Sequence, residues 1–332
     1  MWTSMRHPAV ALFGLALAAP ALCVTLPDRI FPANFEAAPD CLPAGSTGCP
    51  GFVIATYVPI DPGQAISLCY YFRTGSAGGI GVGRFSSRLG PAVHNIAVYT
   101  TADSTTQLPA DRQPPGTLTS TGCGFGTGDN IADRRIYSAH QAAEQLRMPD
   151  DDGAGQPLAI ELPANAAGYI EMYLLNATEQ SVVTYVELTA NGRADAQPYT
   201  KTATYLAYNT QISIPPLGSA TATQSCGVPD PAKFWWFSTE THRRAATATL
   251  RNGAATILVT SNWEAPAIAT FAGPSFYSFA SGEKLTYECS YNNDRPFTTT
   301  TGNNYETDEV CIGVGYYFPA GKAYCFNSVG PL

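Results

Sequence analysis

Residues suited to metal or acid–base chemistry are sparse in this sequence. Its four histidines are His7, His94, His140 and His242. His242 follows Glu240 by two residues, and on a β-strand such residues point to the same face. The two side chains could hold a metal ion, or they could be a hydrogen-bonded, partly exposed pair beside Arg243 and Arg244. For His94, the simpler interpretation is a strand residue satisfied by its neighbours, and for His140 a solvated side chain.

Three consecutive aromatic residues form a second candidate site, Trp235-Trp236-Phe237. Flat rings offer a large contact area at little entropic cost, so the run could be a platform for a sugar or a peptide. On a strand, Trp235 and Phe237 would face one side and Trp236 the other. The alternative is that at least one of these sides packs in the core.

Composition excludes several classes of protein. Of the 332 residues 45% are hydrophobic and 13% are charged, and a disordered chain needs the opposite balance. With 30 glycines and 26 prolines, short strands joined by turns are favoured, and we expect an all-β fold. A nucleic-acid groove needs clustered Lys and Arg to neutralise phosphates, whereas the formal charge here is −8. No nucleic-acid partner is therefore expected.

Turn residues divide the chain into short segments rich in β-branched and aromatic residues, which predict strands. Examples are Gly51 to Ile60, Ala65 to Phe72, Gly168 to Leu175 and Gly313 to Phe318. The polar segment from Arg193 to Thr200 separates two strand-rich halves, so we place domains at residues 24–200 and 201–332. One stretch, Ser138 to Arg147, has the composition of a helix that ends before Met148-Pro149.

The N-terminus is typical of a secretory signal peptide. A basic start precedes an apolar run from Ala9 to Ala19 and small residues up to Cys23, which predicts removal of residues 1–23. A lipoprotein is the alternative, although Leu22 stands where lipid attachment at Cys23 normally has a small residue. No later apolar run is long enough to span a membrane. We expect a secreted or periplasmic protein with an unknown extracellular or periplasmic ligand.

Nine cysteines are present, and removal of the signal leaves eight. An even set in an exported chain indicates disulfides. No two cysteines have the Cys-X-X-Cys spacing, which argues against a thiolate zinc site or a thioredoxin-type redox site. Spacing alone leaves the pairing open. Asn176-Ala177-Thr178 also fits the acceptor pattern for N-glycosylation.

Beyond about residue 204, a series of short motifs occurs in a characteristic order. They are Ile212-Ser213-Ile214-Pro215-Pro216 before Cys226, Thr239-Glu240-Thr241-His242, Trp263-Glu264, Gly282-Glu283-Lys284-Leu285 before Cys289, Thr307-Asp308-Glu309-Val310-Cys311, Tyr316-Tyr317 and Cys325. This series resembles the second domain of the copper type II ascorbate-dependent monooxygenases, the peptidylglycine α-hydroxylating and dopamine β-monooxygenase family. The first half resembles the family's other domain more faintly, at Val93-His94-Asn95, Arg135-Ile136-Tyr137 through Met148-Pro149, and Glu171-Met172-Tyr173.

The resemblance implies two tandem β-sandwich domains of jelly-roll type that face each other across an interdomain cleft. It also implies the disulfides Cys289–Cys311 and Cys226–Cys325. For the four remaining cysteines we expect Cys69–Cys123 and Cys41–Cys49. Some unrelated glycan-cleaving amidases share this architecture, so an acid–base hydrolase in the cleft is a further alternative.

The copper ligands that the resemblance implies are mostly replaced. The positions of the oxygen-binding copper are Glu240, His242 and Val310, and those of the electron-transfer copper are His94, Asn95 and Tyr173. One imidazole survives at each site, whereas copper that cycles between two oxidation states needs imidazole and thioether ligands.

We therefore expect a binding or structural module on the copper monooxygenase scaffold, without dicopper chemistry and with no cofactor. The alternative is a divergent copper-dependent monooxygenase, or a single-metal enzyme that uses His242 and Glu240 with a third ligand.

Overall fold

The computed structural model describes residues 50–100, 113–123, 134–194, 197–321 and 323–329. The predicted signal peptide and the predicted pair Cys41–Cys49 lie outside these ranges. Within them the fold is all-β, as the composition predicts. No helix of the described residues is long and apolar enough to cross a membrane.

The strands of the first half are β1 (Gly51–Ile60), β2 (Ala65–Arg73), β3 (Ile80–Leu89), β4 (Val93–Thr100), β5 (Leu118–Thr119), β6 (Arg134–Ala139), β7 (Ala143–Arg147), β8 (Leu158–Leu162), β9 (Ala167–Leu175), β10 (Val182–Gly192) and β11 (Thr200–Lys201). Those of the second half are β12 (Ala203–Asn209), β13 (Ser213–Ile214), β14 (Ser219–Gly227), β15 (Lys233–Thr241), β16 (Ala245–Asn252), β17 (Ala255–Thr260), β18 (Ala269–Thr270), β19 (Lys284–Asn292), β20 (Thr299–Thr300), β21 (Cys311–Phe318) and β22 (Ala323–Phe326).

The first half is a sandwich of two sheets. One sheet has the order β1-β10-β3-β8-β11, with β7 added to β3, and the other has the order β5-β2-β9-β4-β6. Alternation of buried and exposed residues along β1 places Phe52, Ile54 and Val58 inside and leaves Tyr57 half-exposed. This period of two is expected for a strand that buries one face.

The second half is also a sandwich. Its five-stranded sheet has the order β18-β15-β21-β12-β22, its four-stranded sheet has the order β14-β19-β16-β17, and β13 pairs with β20. The core between these sheets contains Phe234, Phe237 and Tyr317 from the first and Leu250 and Tyr287 from the second.

In the five-stranded sheet of the second half, β12 and β21 are buried on both faces. Along β12, Tyr205 and Ala207 point into the core of their own sandwich, whereas Leu206 and Tyr208 join the core of the first half. The hydrophobic core is therefore continuous across the junction of the halves. The chain changes sheets at Thr202, between β11, which pairs with β8, and β12, which pairs with β21.

The helix predicted for residues 138–147 is wrong. This stretch contains the end of β6, a turn and β7, which pairs with β3. The Glu144 carboxylate accepts hydrogen bonds from the backbone amides of His140 and Gln141 and so fixes the turn. Leu146 pairs with Phe85 in the neighbouring strand. Pairing with β3 overrides the local helical preference, as tertiary context commonly does.

Three disulfides join the described cysteines. They are Cys69–Cys123, Cys226–Cys325 and Cys289–Cys311, with Cα–Cα distances of 5.5, 5.9 and 5.9 Å. All three are among the expected pairs. Disulfides of this kind persist in oxidising compartments.

The same type of turn occurs once in each half, at residues 61–64 and 215–218. In the first, the Gln64 amide donates to the Asp61 carbonyl at 3.1 Å, and Gly63 has a φ of 66°. In the second, the Gly218 amide donates to the Pro215 carbonyl at 3.3 Å, and Leu217 has a φ of 48°. Both are four-residue turns with proline at the second position and a left-handed third residue.

A buried asparagine closes each of these turns. The Nδ2 of Asn176 donates to the carbonyls of Ile60, Asp61 and Gln180. The Nδ2 of Asn293 donates in the same way to Ile214, Pro215 and Phe297. Because Asn176 is 1% exposed and its amide is engaged, the folded protein does not present this sequon for glycosylation.

Candidate functional site

A buried ion pair crosses the junction between the two halves. Arg135 on β6 donates to both carboxylate oxygens of Glu240 on β15, with an Nη1–Oε2 distance of 2.7 Å. His140 Nε2 lies 3.4 Å from Glu240 Oε1. The His140 side chain is 10% exposed, so the prediction that it is solvated is wrong. The Arg135 guanidinium and His140 hold the pKa of Glu240 well below its usual range, although burial opposes them.

Glu240 also forms part of the wall of a cavity of ≈ 190 Å³. The first half contributes residues of β6, β7 and the turn between them, and the second half contributes residues of β15, β21 and the segment after β17. The lining residues are Ser138, His140, Gln141, Glu144, Trp236, Ser238, Thr239, Glu240, Ala265, Pro266, Ile268 and Val314. This cavity, called the Glu240 pocket below, is one part of the predicted interdomain cleft.

A second cavity has residues of both halves in its lining, among them Tyr305. It has a volume of ≈ 380 Å³. Its walls include Ser67 and Ser120 from the first half and Asn303 and Asp308 from the second. Hydroxyl and amide groups dominate its polar lining, and the Ser67 hydroxyl donates to the Asn303 carbonyl at 3.3 Å.

The two histidines at the implied copper positions pack against one tyrosine. The ring centroid of Tyr305 lies 4.5 Å from that of His94 and 4.1 Å from that of His242. The Trp263 ring centroid lies 4.4 Å from that of His94 and 5.7 Å from that of Tyr305. Tyr305 is 4% exposed, so its phenol ring occupies space between the first-half and second-half positions. We call this group of four rings the Tyr305 cluster.

The replaced ligand positions are buried among other side chains. Asn95 is 8% exposed, and the Tyr173 hydroxyl donates to Glu171 at 2.7 Å. Val310 is 4% exposed and belongs to the hydrophobic core. These side chains fill the region where the resemblance implies copper ligands.

Burial keeps both histidines of the cluster neutral at physiological pH. It lowers the pKa of His94 to about 3, with smaller contributions from His140 and His242. The pKa of His242 is lowered to about 4 for the same reason, and the Asp308 carbonyl, 3.1 Å from its Nδ1, opposes the shift. Nε2 of His94 is buried without a hydrogen-bond partner.

The pKa values of two nearby glutamates, Glu171 and Glu309, are shifted upward. Burial raises the pKa of Glu171 to about 7, although the Tyr173 hydroxyl and Arg135 lower it. Burial likewise raises the pKa of Glu309 to about 8. The Glu309 carboxylate accepts the backbone amides of His242 and Arg244 and thereby fixes the chain where β15 ends.

The aromatic run divides between core and pocket. Trp235 is 3% exposed and donates its indole N–H to Thr202, and Phe237 is fully buried. Trp236 is half-buried, lines the Glu240 pocket and packs edge-on against Tyr316 at 5.3 Å. A bulge between Phe234 and Trp236 places both tryptophans toward the first half, so the simple alternation predicted for this strand is wrong.

Sequence reasoning did not identify Arg135, Glu171 or Tyr305 as site residues. Arg135 and Glu171 stand inside motifs that carried the resemblance, and an ionisable residue in an otherwise apolar strand is a signal for a buried pair. Tyr305 had no such signal because it lies in a polar loop. Only the packing of that loop against β4 and β15 gives it a role.

The described residues do not fit a copper site of the implied kind. Glu240 is ion-paired with Arg135, Val310 offers no donor atom, and Tyr305 packs on both imidazoles. No group of three or more His, Cys, Asp or Glu within the described ranges is arranged to hold a metal ion.

Comparisons with known proteins show similarity of structure without similarity of sequence. No family model and no curated protein matches the chain. The major capsid protein P2 of bacteriophage PM2 matches at 8% identity and a TM-score of 0.33, over 80% of this chain and 97% of its own. PNGase F, a glycosylasparaginase from Flavobacterium meningosepticum, matches at 9% identity and a TM-score of 0.38, over 83% and 97%. These TM-scores are low, so neither protein indicates a function for this chain.

The fold and the site together define a disulfide-bonded all-β protein of two β-sandwiches, with two cavities and a buried aromatic and ionic cluster at the junction. The resemblance to the copper monooxygenases stays a prediction.

Proposed function

We propose that this protein is an exported binding module whose scaffold resembles that of the copper monooxygenases and which works without dicopper chemistry. Its ligand site would be the Glu240 pocket at the junction of the two sandwiches.

The contact of Tyr305 with both His94 and His242 carries this proposal. A copper ion needs open space beside an imidazole nitrogen and further donors at bonding distance. Here the phenol ring packs on both imidazoles. A metal could enter only if the Tyr305 ring moved away from the two imidazoles. The observed packing and a copper site therefore exclude each other.

The state of Glu240 supports the same proposal. Each carboxylate oxygen has two lone pairs, and a metal would compete with the present partners of Glu240 for them. Arg135 donates to both oxygens of Glu240, and His140 lies beside one of them. Withdrawing Glu240 from this pair would leave a buried, unpaired guanidinium, at a cost of several kcal/mol.

The Glu240 pocket supports a binding role. Ligand sites are concave and mainly apolar, with a few polar groups that fix orientation. This cavity combines Trp236, Val314 and Pro266 with His140 and Glu240, and both halves contribute to it. Sites between domains are a preferred location for small ligands.

An anaerobic Cu(I) titration of the purified mature protein, with metal analysis before and after, tests the proposal. We expect less than one tightly bound equivalent and no ascorbate-driven oxygen consumption. A His242→Ala variant is the matched control, because any binding at the predicted position would disappear in it. Two tight equivalents with ascorbate-driven oxygen consumption would instead establish the divergent monooxygenase.

A further inference from the structure

We propose that the Glu240 pocket binds a single pyranose ring, stacked on Trp236 and hydrogen-bonded through its rim hydroxyls to the His140 side of the cavity. This inference rests on the proposed binding function and adds the class of ligand.

One side of the pocket carries a rigid aromatic ring. Trp236 lies on β15, and its partner across the sheet is Tyr316. The edge-on contact with Tyr316 holds the indole in place, so little side-chain entropy is lost when a flat ligand stacks on it. The apolar C–H face of a pyranose suits such a surface.

The other side of the pocket is polar. His140, Gln141 and Ser138 lie there beside Glu240. Ser138 carries a hydroxyl and Gln141 a side-chain amide, and these groups can exchange hydrogen bonds with the hydroxyls of a sugar.

The charges of the lining favour a neutral ligand over an ionic one. Lys and Arg do not occur among the lining residues, so an anion would meet no free cation. The two carboxylates are engaged, Glu240 with Arg135 and Glu144 with the backbone amides of His140 and Gln141. A cationic ligand would therefore have to compete with existing partners.

The volume and the mouth of the cavity limit the ligand to one ring. Pockets for drug-sized ligands measure about 300–1,000 Å³, and this cavity measures ≈ 190 Å³. Ile268 at its mouth is 50% exposed, so the pocket is reached from solvent. The Gln141 amide donates to the Glu264 carbonyl at 3.0 Å, which links the two halves beside the pocket.

The test is a titration of the mature protein with the methyl α-glycosides of glucose, galactose, mannose and N-acetylglucosamine. Tryptophan fluorescence and saturation-transfer NMR report binding. We expect at least one glycoside to saturate the protein with a Kd of about 0.1–10 mM, and Trp236→Leu to weaken it at least about tenfold. Val259→Ala, at an exposed position of β17, is the control that should bind normally.

A second variant covers the case in which Trp236→Leu does not fold. Ile268→Trp fills the mouth from an exposed position and should also weaken the glycoside at least about tenfold. The proposal is overturned if no glycoside binds, or if binding survives both substitutions.

Inorganic phosphate and tetramethylammonium are titrated in parallel. If one of these ions binds and the variants do not bind it, the pocket is a site for an ion and the proposal of a pyranose ligand is wrong. The Cu(I) titration decides the proposed function separately.

Discussion

Arg135 and Glu240 face each other across the junction of the two sandwiches, and the guanidinium donates to both carboxylate oxygens. Arg135 is 2% exposed and Glu240 is 9% exposed. A buried pair of this kind ties the position of β6 to that of β15, because each charge is costly to bury without the other.

Substituting one member of this pair should destabilise the protein much more than substituting both members together. We expect Arg135→Met to lower the free energy of unfolding by about 3–5 kcal/mol, and Glu240→Leu by a similar amount, because each leaves one buried charge unpaired. The double variant should recover much of that loss. Urea unfolding of the two single variants and the double variant measures the coupling. If the two single losses simply add, the pair does not act as a unit.

Removal of the Tyr305 ring should open the aromatic cluster. We expect Tyr305→Ala to cost about 3–5 kcal/mol of stability. Because burial is the main cause of the low pKa values of His94 and His242, about 3 and about 4, both should rise toward 6.5. NMR titration of the imidazole protons measures this.

Tyr305→Phe is the matched control for that experiment. It keeps the ring and removes only the hydroxyl, so its stability should fall by no more than about 0.5–1.5 kcal/mol. The histidine pKa values should stay low in this variant. If they rise equally in the phenylalanine and alanine variants, packing of the ring is not what keeps the imidazoles neutral.

Stability should be greatest at moderately acidic pH. The folded-state pKa values of His94 and His242 lie below the ordinary 6.5, so their contribution is full above that pH and is lost as the pH falls toward 4 and 3. Glu171 and Glu309 have folded-state values of about 7 and about 8 against 4.5. Their contribution is full below pH 4.5 and is lost as the pH rises through those values. Between pH 4.5 and 6.5 a rise in pH increases the stabilisation from the two histidines and decreases that from the two glutamates, so the two effects oppose each other.

Above pH 6.5 only the glutamates act, so the free energy of unfolding should fall as the pH rises, by up to about 1.4 kcal/mol per pH unit for each group until the pH passes its folded-state pKa. Urea unfolding at about pH 5.5, 6.5 and 8 measures the slope. Glu171→Gln keeps the acceptor for Tyr173 and removes the titration, so its slope should be shallower. An unchanged slope in that variant would show that Glu171 is already ionised at the lower pH.

The repeated turn predicts opposite effects for two substitutions. Leu217 adopts a φ of 48° and is 73% exposed, and a side chain in the left-handed region costs about 1 kcal/mol relative to glycine. We expect Leu217→Gly to raise the free energy of unfolding by about 0.5–1 kcal/mol. At the equivalent position of the first half, Gly63→Leu should lower it by about the same amount. Thermal unfolding compares the two, and effects of the same sign would show that the turns are not equivalent.

Much of the fold is local information that the sequence alone carries. Turn residues and alternating side chains predict the all-β class, and the predicted strand Gly51 to Ile60 coincides with β1. The two turns at 61–64 and 215–218 could have been matched as well, since each has isoleucine before it and proline in second place. Such features depend on backbone preferences of a few neighbouring residues.

The site depended on contacts that no local pattern specifies. The sequence determined which chemical groups are available: three histidines in the described chain, and asparagine, tyrosine and valine where copper ligands were expected. Only the tertiary structure decided that Glu240 pairs with Arg135, 105 residues away in the chain, and that Tyr305 packs on both His94 and His242. Burial and long-range packing set the partner of each charged or aromatic group, and these arise only when separate sheets meet.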